Sequence, residues 1–263
     1  MMHLLPKWVE IEKDGFFAVG LSIAIGFTYI VCNGFFSICS ACGIFRQYKL
    51  PRKPAQEPSA KLIQDTLLQE FLSHFVTGPI LMVLVVGPIL RQRNDAAVEV
   101  EDIPMFATIW AQIMIVHLLN EVWFYWGHRL LHHPFFYARI HKQHHSYIAT
   151  RSIAAEYAHV VEDVITAYIP YMLGLFLTRA HFHVVFLWFG CRLFETYESH
   201  SGYCFAGSFP QRYLGLTNSR QSAHHWSHHL HNRGCFGNEL LDHLCGTMDF
   251  KVDQDNQLAE KRL

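Results

Sequence analysis

The 263-residue chain carries 21 Lys and Arg residues against 22 Asp and Glu residues, so it offers no basic surface for nucleic acid. Hydrophobic residues make up 51% of the sequence, charged residues make up 16%, and the mean hydropathy is +0.12. This composition is too apolar for an ordinary soluble domain and indicates a membrane protein.

The first apolar segment, residues 15–45, contains no charged residue before Arg46. It exceeds the roughly 20 residues that cross a hydrocarbon core, so we predict a transmembrane helix here. The preceding residues mix lysine with acidic residues and lack the basic start of a cleaved signal peptide. We therefore expect this helix to stay in the mature protein.

Two further apolar runs, residues 75–90 and 103–126, are predicted to form a membrane hairpin. Two prolines interrupt the first run, which favours a tilted or kinked helix. Two shorter runs, residues 164–177 and 182–194, predict a shallow hairpin that does not cross the membrane fully.

The charges of the connecting loops predict the orientation. Residues 46–74 contain five Lys and Arg residues, whereas residues 91–102 contain two arginines and four acidic residues. The positive-inside rule then places the first loop in the cytosol. Because the predicted hairpin returns the chain to that side, we expect the histidine clusters that follow it to be cytosolic.

Sixteen of the 19 histidines lie between residues 128 and 243, which makes this half of the chain a candidate metal site. Neutral imidazole is a common metal ligand, and helical residues three or four apart share a face. Three clusters supply the candidates: His128, His132 and His133; His141, His144 and His145; and His224, His225, His228 and His229.

Pro134 favours a helix boundary at His133. We therefore expect His133 to turn from the helix end and join His128, and we keep His132 as a candidate ligand.

A single catalytic zinc needs about three protein ligands, and the clusters supply at least eight histidines, so the surplus implies two metal ions. Imidazole suits iron, zinc, copper or nickel, and the spacing does not choose among them.

The clusters resemble the three histidine boxes of the fatty acid hydroxylase superfamily of membrane di-iron oxygenases. Residues 195–203, Glu-Thr-Tyr-Glu-Ser-His-Ser-Gly-Tyr, are similar to a segment of C-4 methylsterol oxidases, and so are residues 154–159, Ala-Ala-Glu-Tyr-Ala-His. Residues 241–247 look like the closing Asp-x-x-Phe-Gly-Thr element of the family.

The resemblance implies an all-α integral membrane protein whose transmembrane helices carry a cytosolic helical cap with a histidine-rich dimetal site. We expect an N-terminal membrane region with a basic loop (residues 1–102), a catalytic domain (103–250) and a polar tail (251–263). The resemblance also implies a multi-pass protein of the endoplasmic reticulum membrane, two iron ions, O2 as cosubstrate, and electrons from NAD(P)H through cytochrome b5 or its reductase.

The resemblance also implies a ligand set. Carried over by position, the ligands are His128, His133, His141, His144, His145, His200, His225, His228 and His229, and His132, His224 and His159 compete for any further place. Glu195 is expected to orient a ligand imidazole, which is a common role of carboxylates near metal sites.

The activity that the resemblance implies is O2-dependent hydroxylation of a bilayer lipid, most directly a sterol at its C-4 methyl group in sterol biosynthesis. Trp226 and Ser227 replace the Asp-aromatic pair of sterol methyl oxidases, and Cys204 replaces an acidic residue. Three alternatives stay open: a sterol desaturase, a fatty-acyl or sphingolipid hydroxylase, and a non-catalytic regulatory membrane protein of the same fold.

Overall fold

A computed structural model describes residues 7–86, 105–180, 182–205 and 221–249. These residues form ten α-helices joined by short 3-10 and π-helical turns. They contain no β-strand, and an isolated bridge pairs Lys49 with Tyr203. The prediction of an all-helical protein is confirmed.

The helices differ widely in length, and the longest are those of the membrane region. In chain order they are α1 (Lys7–Cys42), α2 (Ala60–Leu72), α3 (Gly78–Leu81), α4 (Phe106–Leu131), α5 (Pro134–Phe136), α6 (Val160–Asp163), α7 (Ile169–Thr178), α8 (Phe182–His200), α9 (Gln221–His231) and α10 (Glu239–Leu244). A π-helical turn joins α2 to α3, and another joins α6 to α7. Pro79 and Pro170 follow these turns, and a proline has no N–H to donate to a regular helix.

Four helical stretches are long and apolar enough to cross a membrane. They are Val19–Cys42, Pro54–Leu84, Phe106–Leu131 and Val160–Thr178. Large apolar side chains such as Ile23, Phe27 and Leu84 are exposed on these helices, which suits lipid better than water. These are the features of a multi-pass membrane protein.

The second membrane helix begins earlier than the predicted run at residues 75–90. The side chain of Ser59 accepts a hydrogen bond from the Leu62 N–H and caps the start of α2. Lys61 and Asp65 pair at 2.8 Å one turn apart, so the charged residues of this stretch fit a helix. The predicted loop at residues 91–102 lies outside the described residues.

The predicted shallow hairpin is also longer than expected. The apolar stretch Val160–Thr178 has the length of a full crossing. Helix α8 continues beyond the predicted end at residue 194 and stops at His200. Its last two turns contain Glu195 and Glu198, which are buried inside the protein, so their polarity does not end the helix.

Helix α8 packs against the membrane helices α1 and α4. Trp188 belongs to one buried apolar cluster with Leu21 of α1 and Val116 of α4, and Tyr197 belongs to a second with Phe36 of α1. Because one face of α8 is buried against protein, that face does not need the uniformly apolar surface of a lipid-facing helix. Its position carries His200 to the histidine clusters.

A strap, which we define as residues 49–52 of the loop between α1 and α2, covers the end of α8. The Leu50 N–H donates to the Gly202 oxygen at 2.9 Å, and the Arg52 guanidinium donates to the Thr150 oxygen at 2.7 Å. Gly202 has a φ of +76°, and a Cβ there would lie 2.8 Å from the Arg52 Nη2 atom. Glycine therefore lets the strap pack directly against the turn that follows His200.

Candidate metal centre

Nine imidazoles from α4, α8, α9 and the turns at residues 137–146 converge in two adjacent groups. One ligand nitrogen from each residue lies within 4.8 Å of the others in its group. Centre A consists of His128, His132, His141, His145 and His228, and centre B consists of His144, His200, His225 and His229. The rings of His145 and His229 stack with centroids 4.5 Å apart, so the two centres are neighbours.

The second and third clusters each contribute to both centres. His228 and His229 are consecutive on α9, and consecutive helical residues point about 100° apart. They therefore reach different centres, and His225, one turn before His229, reaches centre B with it. His144 and His145 divide in the same way after the π-helical turn that ends at His141.

The spacing of the ring nitrogens fits a bound metal. The Nε2 atom of His141 lies 3.0 to 3.1 Å from the Nε2 atoms of three other rings, those of His128, His132 and His145. In centre B, the Nε2 atom of His144 lies 3.4 Å from that of His200 and 3.2 Å from that of His229, while the His200 and His225 nitrogens lie closer, at 2.7 Å. Metal–nitrogen bonds of about 2.1 Å at octahedral or tetrahedral angles would place neighbouring ligand nitrogens about 3.0 to 3.4 Å apart.

Hydrogen bonds at the outward-facing nitrogens fix the tautomer of four of these rings. Their Nδ1 atoms lie within hydrogen-bond distance of backbone oxygens: His128 with Phe236 at 2.7 Å, His228 with Gly234 at 2.5 Å, His229 with Tyr147 at 2.9 Å and His200 with Thr196 at 2.8 Å. A backbone oxygen only accepts, so Nδ1 carries the proton and the Nε2 lone pair faces the centre. Lone pairs that converge in this way suit a cation, so the residues fit a pair of metal ions.

The electrostatic environment keeps these imidazoles neutral. Burial lowers the pKa of His200 to about 4, and burial beside His128 lowers the pKa of His132 to about 2. Burial and the neighbouring rings also lower the pKa of His229 well below its usual range. Protons therefore do not compete for these ligand nitrogens at pH 7.

Three of the candidate ligands, His133, His159 and His224, lie outside both centres. His133 is exposed and caps α5, and its Nδ1 atom accepts a hydrogen bond from the Phe135 N–H at 3.4 Å. His132 still has helical backbone angles at the end of α4, so it stays on the face of His128. We expected His133 to be a ligand in preference to His132, but the structure places His132 in centre A and His133 outside it.

The other two candidates have different surroundings. His224 is buried on α9 one residue before His225, so its side chain points about 100° away from that ligand. The Nδ1 atom of His159 accepts a hydrogen bond from the Val161 N–H at 3.2 Å and caps α6. His159 also lines the cavity described below.

The carboxylate beside a ligand is Glu162 instead of the predicted Glu195. The Glu162 Oε1 atom lies 2.9 Å from Nδ1 of His141. Glu195 pairs with Arg192 at 2.9 Å. The sequence does contain a signal for Glu162, because a carboxylate within an apolar membrane helix is costly unless it has a partner.

A third polar group lies in the same region and was not predicted. The Nε2 atom of His74 lies 2.9 Å from Glu156 Oε2 and 3.4 Å from Glu70 Oε2. The Tyr197 hydroxyl donates to the other oxygen of Glu156. In this cluster the His74 ring lies between two carboxylates, and a hydroxyl donates to one of them. An imidazolium at His74 would neutralise this arrangement, so the cluster does not need a metal ion.

One cavity connects the histidines with the membrane helices. Its volume is about 740 Å³, which lies in the range of small-molecule binding sites. Ligands of both centres line it: His128 and His141 from centre A, and His144, His200 and His225 from centre B. Apolar side chains form much of the remaining wall, among them Ile25, Met82, Phe124, Met172, Phe189 and Leu193.

The chain is similar to one family of proteins. The model of the fatty acid hydroxylase family matches residues 113–247, about half of the chain. A Dictyostelium discoideum protein provisionally named methylsterol monooxygenase is 30% identical over 87% of this chain and 82% of its own length. The C-4 methylsterol oxidase of Schizosaccharomyces pombe is 32% identical over 73% of this chain and 63% of its own length.

A further relative is longer than this chain. Fatty acid hydroxylase domain-containing protein 2 of Macaca fascicularis is 35% identical over 63% of this chain and 46% of its own length. The chain thus matches less than half of that protein. No solved structure matches the chain.

Proposed function

Because the chain belongs to the fatty acid hydroxylase family, we propose that it is a membrane di-iron oxygenase that hydroxylates a lipid, namely a sterol at its C-4 methyl group. The observation that carries this proposal is a cavity of the described residues whose walls combine ligands of both centres with apolar side chains. A site with these two properties suits an apolar substrate that enters from the bilayer.

The ligand set supports iron over zinc. Centre A offers five imidazole nitrogens, which exceeds the four ligands usual for zinc and would suit an ion such as iron. Centre B offers four imidazole nitrogens, from His144, His200, His225 and His229, which would hold the second ion. Iron in these centres would supply the activation of O2.

The side chains have three tasks in this proposal. The imidazoles hold the two ions, and the backbone oxygens of Phe236 and Gly234 orient two of the rings. The apolar wall, including Phe124 and Phe189, excludes bulk water and positions one carbon of the lipid beside the ions. Each hydroxylation consumes one O2, two electrons and two protons, and releases one water molecule.

The electron donor and the location follow from the same proposal. We infer that electrons come from NAD(P)H through cytochrome b5 or its reductase at the cytosolic face of the endoplasmic reticulum. The sterol substrate is supported by the names of the Schizosaccharomyces and Dictyostelium relatives. A sterol desaturase and a fatty-acyl hydroxylase are the competing activities, because both would need the same ions beside an apolar cavity.

The proposal is tested by metal analysis of the purified protein together with lipid profiling of cells that lack it. We expect two irons per chain and an accumulation of 4-methylsterols. The variant His144→Ala/His228→Ala removes one ligand from each centre and should fail to restore the sterols, whereas His133→Ala should restore them. A change confined to acyl hydroxylation, or restoration by the double variant, would refute the proposal.

A further inference from the structure

The loop between α9 and α10 has an unusual backbone. Asn232, Gly234 and Cys235 all have positive φ values, of 56°, 60° and 50°. Two of these are not glycine, and a non-glycine residue stays in this region only when its surroundings hold it there. The same loop presents the oxygens of Gly234 and Phe236 to the Nδ1 atoms of two ligands of centre A.

One buried carboxylate holds this loop. The Asp242 side chain is 1% exposed, and its two oxygens accept hydrogen bonds from the Phe236 N–H at 2.9 Å and the Gly237 N–H at 3.0 Å. The Thr247 hydroxyl donates to the same carboxylate at 2.7 Å. The Cys235 N–H donates to the Thr247 oxygen at 3.1 Å, so Asp242 and Thr247 together fix both sides of the loop.

We propose that Asp242 is a positioning residue for centre A, which it serves by fixing the loop oxygens that orient His128 and His228. Hydrogen bonds connect Asp242 to both rings. The loop amides donate to the carboxylate, and the two imidazoles donate to the loop oxygens. The inference rests on the proposed metal site, and it assigns a task to the aspartate of the closing element.

The effect of Asp242 is specific to one centre. His229 and His200 of centre B are oriented by the oxygens of Tyr147 and Thr196, and neither of these residues belongs to the loop. A disturbed loop therefore releases two rings of centre A and leaves these orienting bonds of centre B in place. This asymmetry separates a positioning role from a general contribution to folding.

The test is the metal content of the full-length variant Asp242→Asn, purified in detergent, loaded with iron(II) and dialysed against a chelator. An asparagine of nearly the same size turns an N–H toward one of the loop amides and so loses an acceptor. We expect the wild type to keep two ions and the variant to keep one, with an affinity for the lost ion reduced about 10- to 100-fold. The control Asp249→Asn changes a carboxylate that pairs with Arg233 of the same loop, and it should keep two ions.

Double variants identify the centre that is lost. Adding His229→Ala to Asp242→Asn should remove the remaining ion, whereas adding His132→Ala should leave it. Two tightly held ions in Asp242→Asn, or the equal loss of both, overturn the inference. If Asp242→Asn does not fold, Thr247→Val removes one of the bonds to the carboxylate, and selective loss from centre A in that variant supports the same inference.

The outcome for Asp242 is distinct from that for the proposed activity. Two irons in the wild type without oxidation of any lipid would refute the oxygenase and leave the Asp242 inference to be judged by metal content alone. A wild type that binds no metal would overturn both.

Discussion

Replacing Glu162 with glutamine should weaken the binding of one metal ion. Glu162 is 5% exposed, and its Oε1 atom lies 2.9 Å from Nδ1 of His141. His141 has the most central ring of centre A, because its Nε2 atom faces three other imidazole nitrogens. A carboxylate in this position fixes the ring and raises its basicity, and the neutral amide of Glu162→Gln does so less well.

The expected loss is about 10- to 100-fold in affinity for the ion of centre A. Since each tenfold change corresponds to about 1.4 kcal/mol, the loss in binding free energy is about 1.4 to 2.8 kcal/mol. Competition with a chelator of known affinity measures it on the purified protein, and metal analysis after dialysis should find one ion released before the other.

The matched control is Glu195→Gln. This carboxylate is also buried, but it pairs with Arg192, so its loss should lower the stability of the metal-free protein and leave metal affinity unchanged. The reasoning is refuted if Glu162→Gln binds both ions as tightly as the wild type, or if Glu195→Gln loses metal to the same extent.

Three other variants or conditions test separate parts of the structure. His133→Ala should keep two ions and cost about 1 kcal/mol or less, since it removes a weak helix cap, whereas His132→Ala should lose the ion of centre A in metal analysis. His74→Ala should keep both ions but lower the stability by about 3 to 5 kcal/mol in thermal unfolding, because it leaves buried carboxylates unpaired. The metal-free protein should lose stability as the pH falls from about 6.5 to about 4: the unfolded chain binds a proton at His200 in this range and the folded chain does not. A melting temperature that is independent of pH across this window would contradict the last prediction.

The sequence predicted the histidine clusters well because their spacing is local. Residues three or four apart on a helix share a face whatever surrounds the helix, so His225 with His229 on α9 needed no tertiary information. The choice between His132 and His133 was harder. A helix boundary that moves by one residue turns a side chain by about 100°, and Pro134 alone does not fix that boundary.

The features that were missed depend on contacts between distant parts of the chain. Glu162 meets His141 only because α6 folds back beside the second cluster, and His74 meets Glu156 only because α2 and its π-helical turn lie against the segment before α6. Nothing in the local pattern of either segment specifies its partner. The start of the second membrane helix was missed for a different reason, since its charged first turns are stabilised locally by the Ser59 cap and the Lys61–Asp65 pair.

The order of the ligands along the chain has a consequence for biosynthesis. Centre A requires His228 of α9, and centre B requires His200 at the end of α8 as well as two residues of α9. Neither centre is complete while only the first membrane helices have been made, even though His128 is already present. Because a chain is synthesised from its N-terminus, complete ligand sets form only after α8 has been made and α9 has folded against it. Interrupted synthesis before α9 would therefore leave membrane fragments that hold no complete centre.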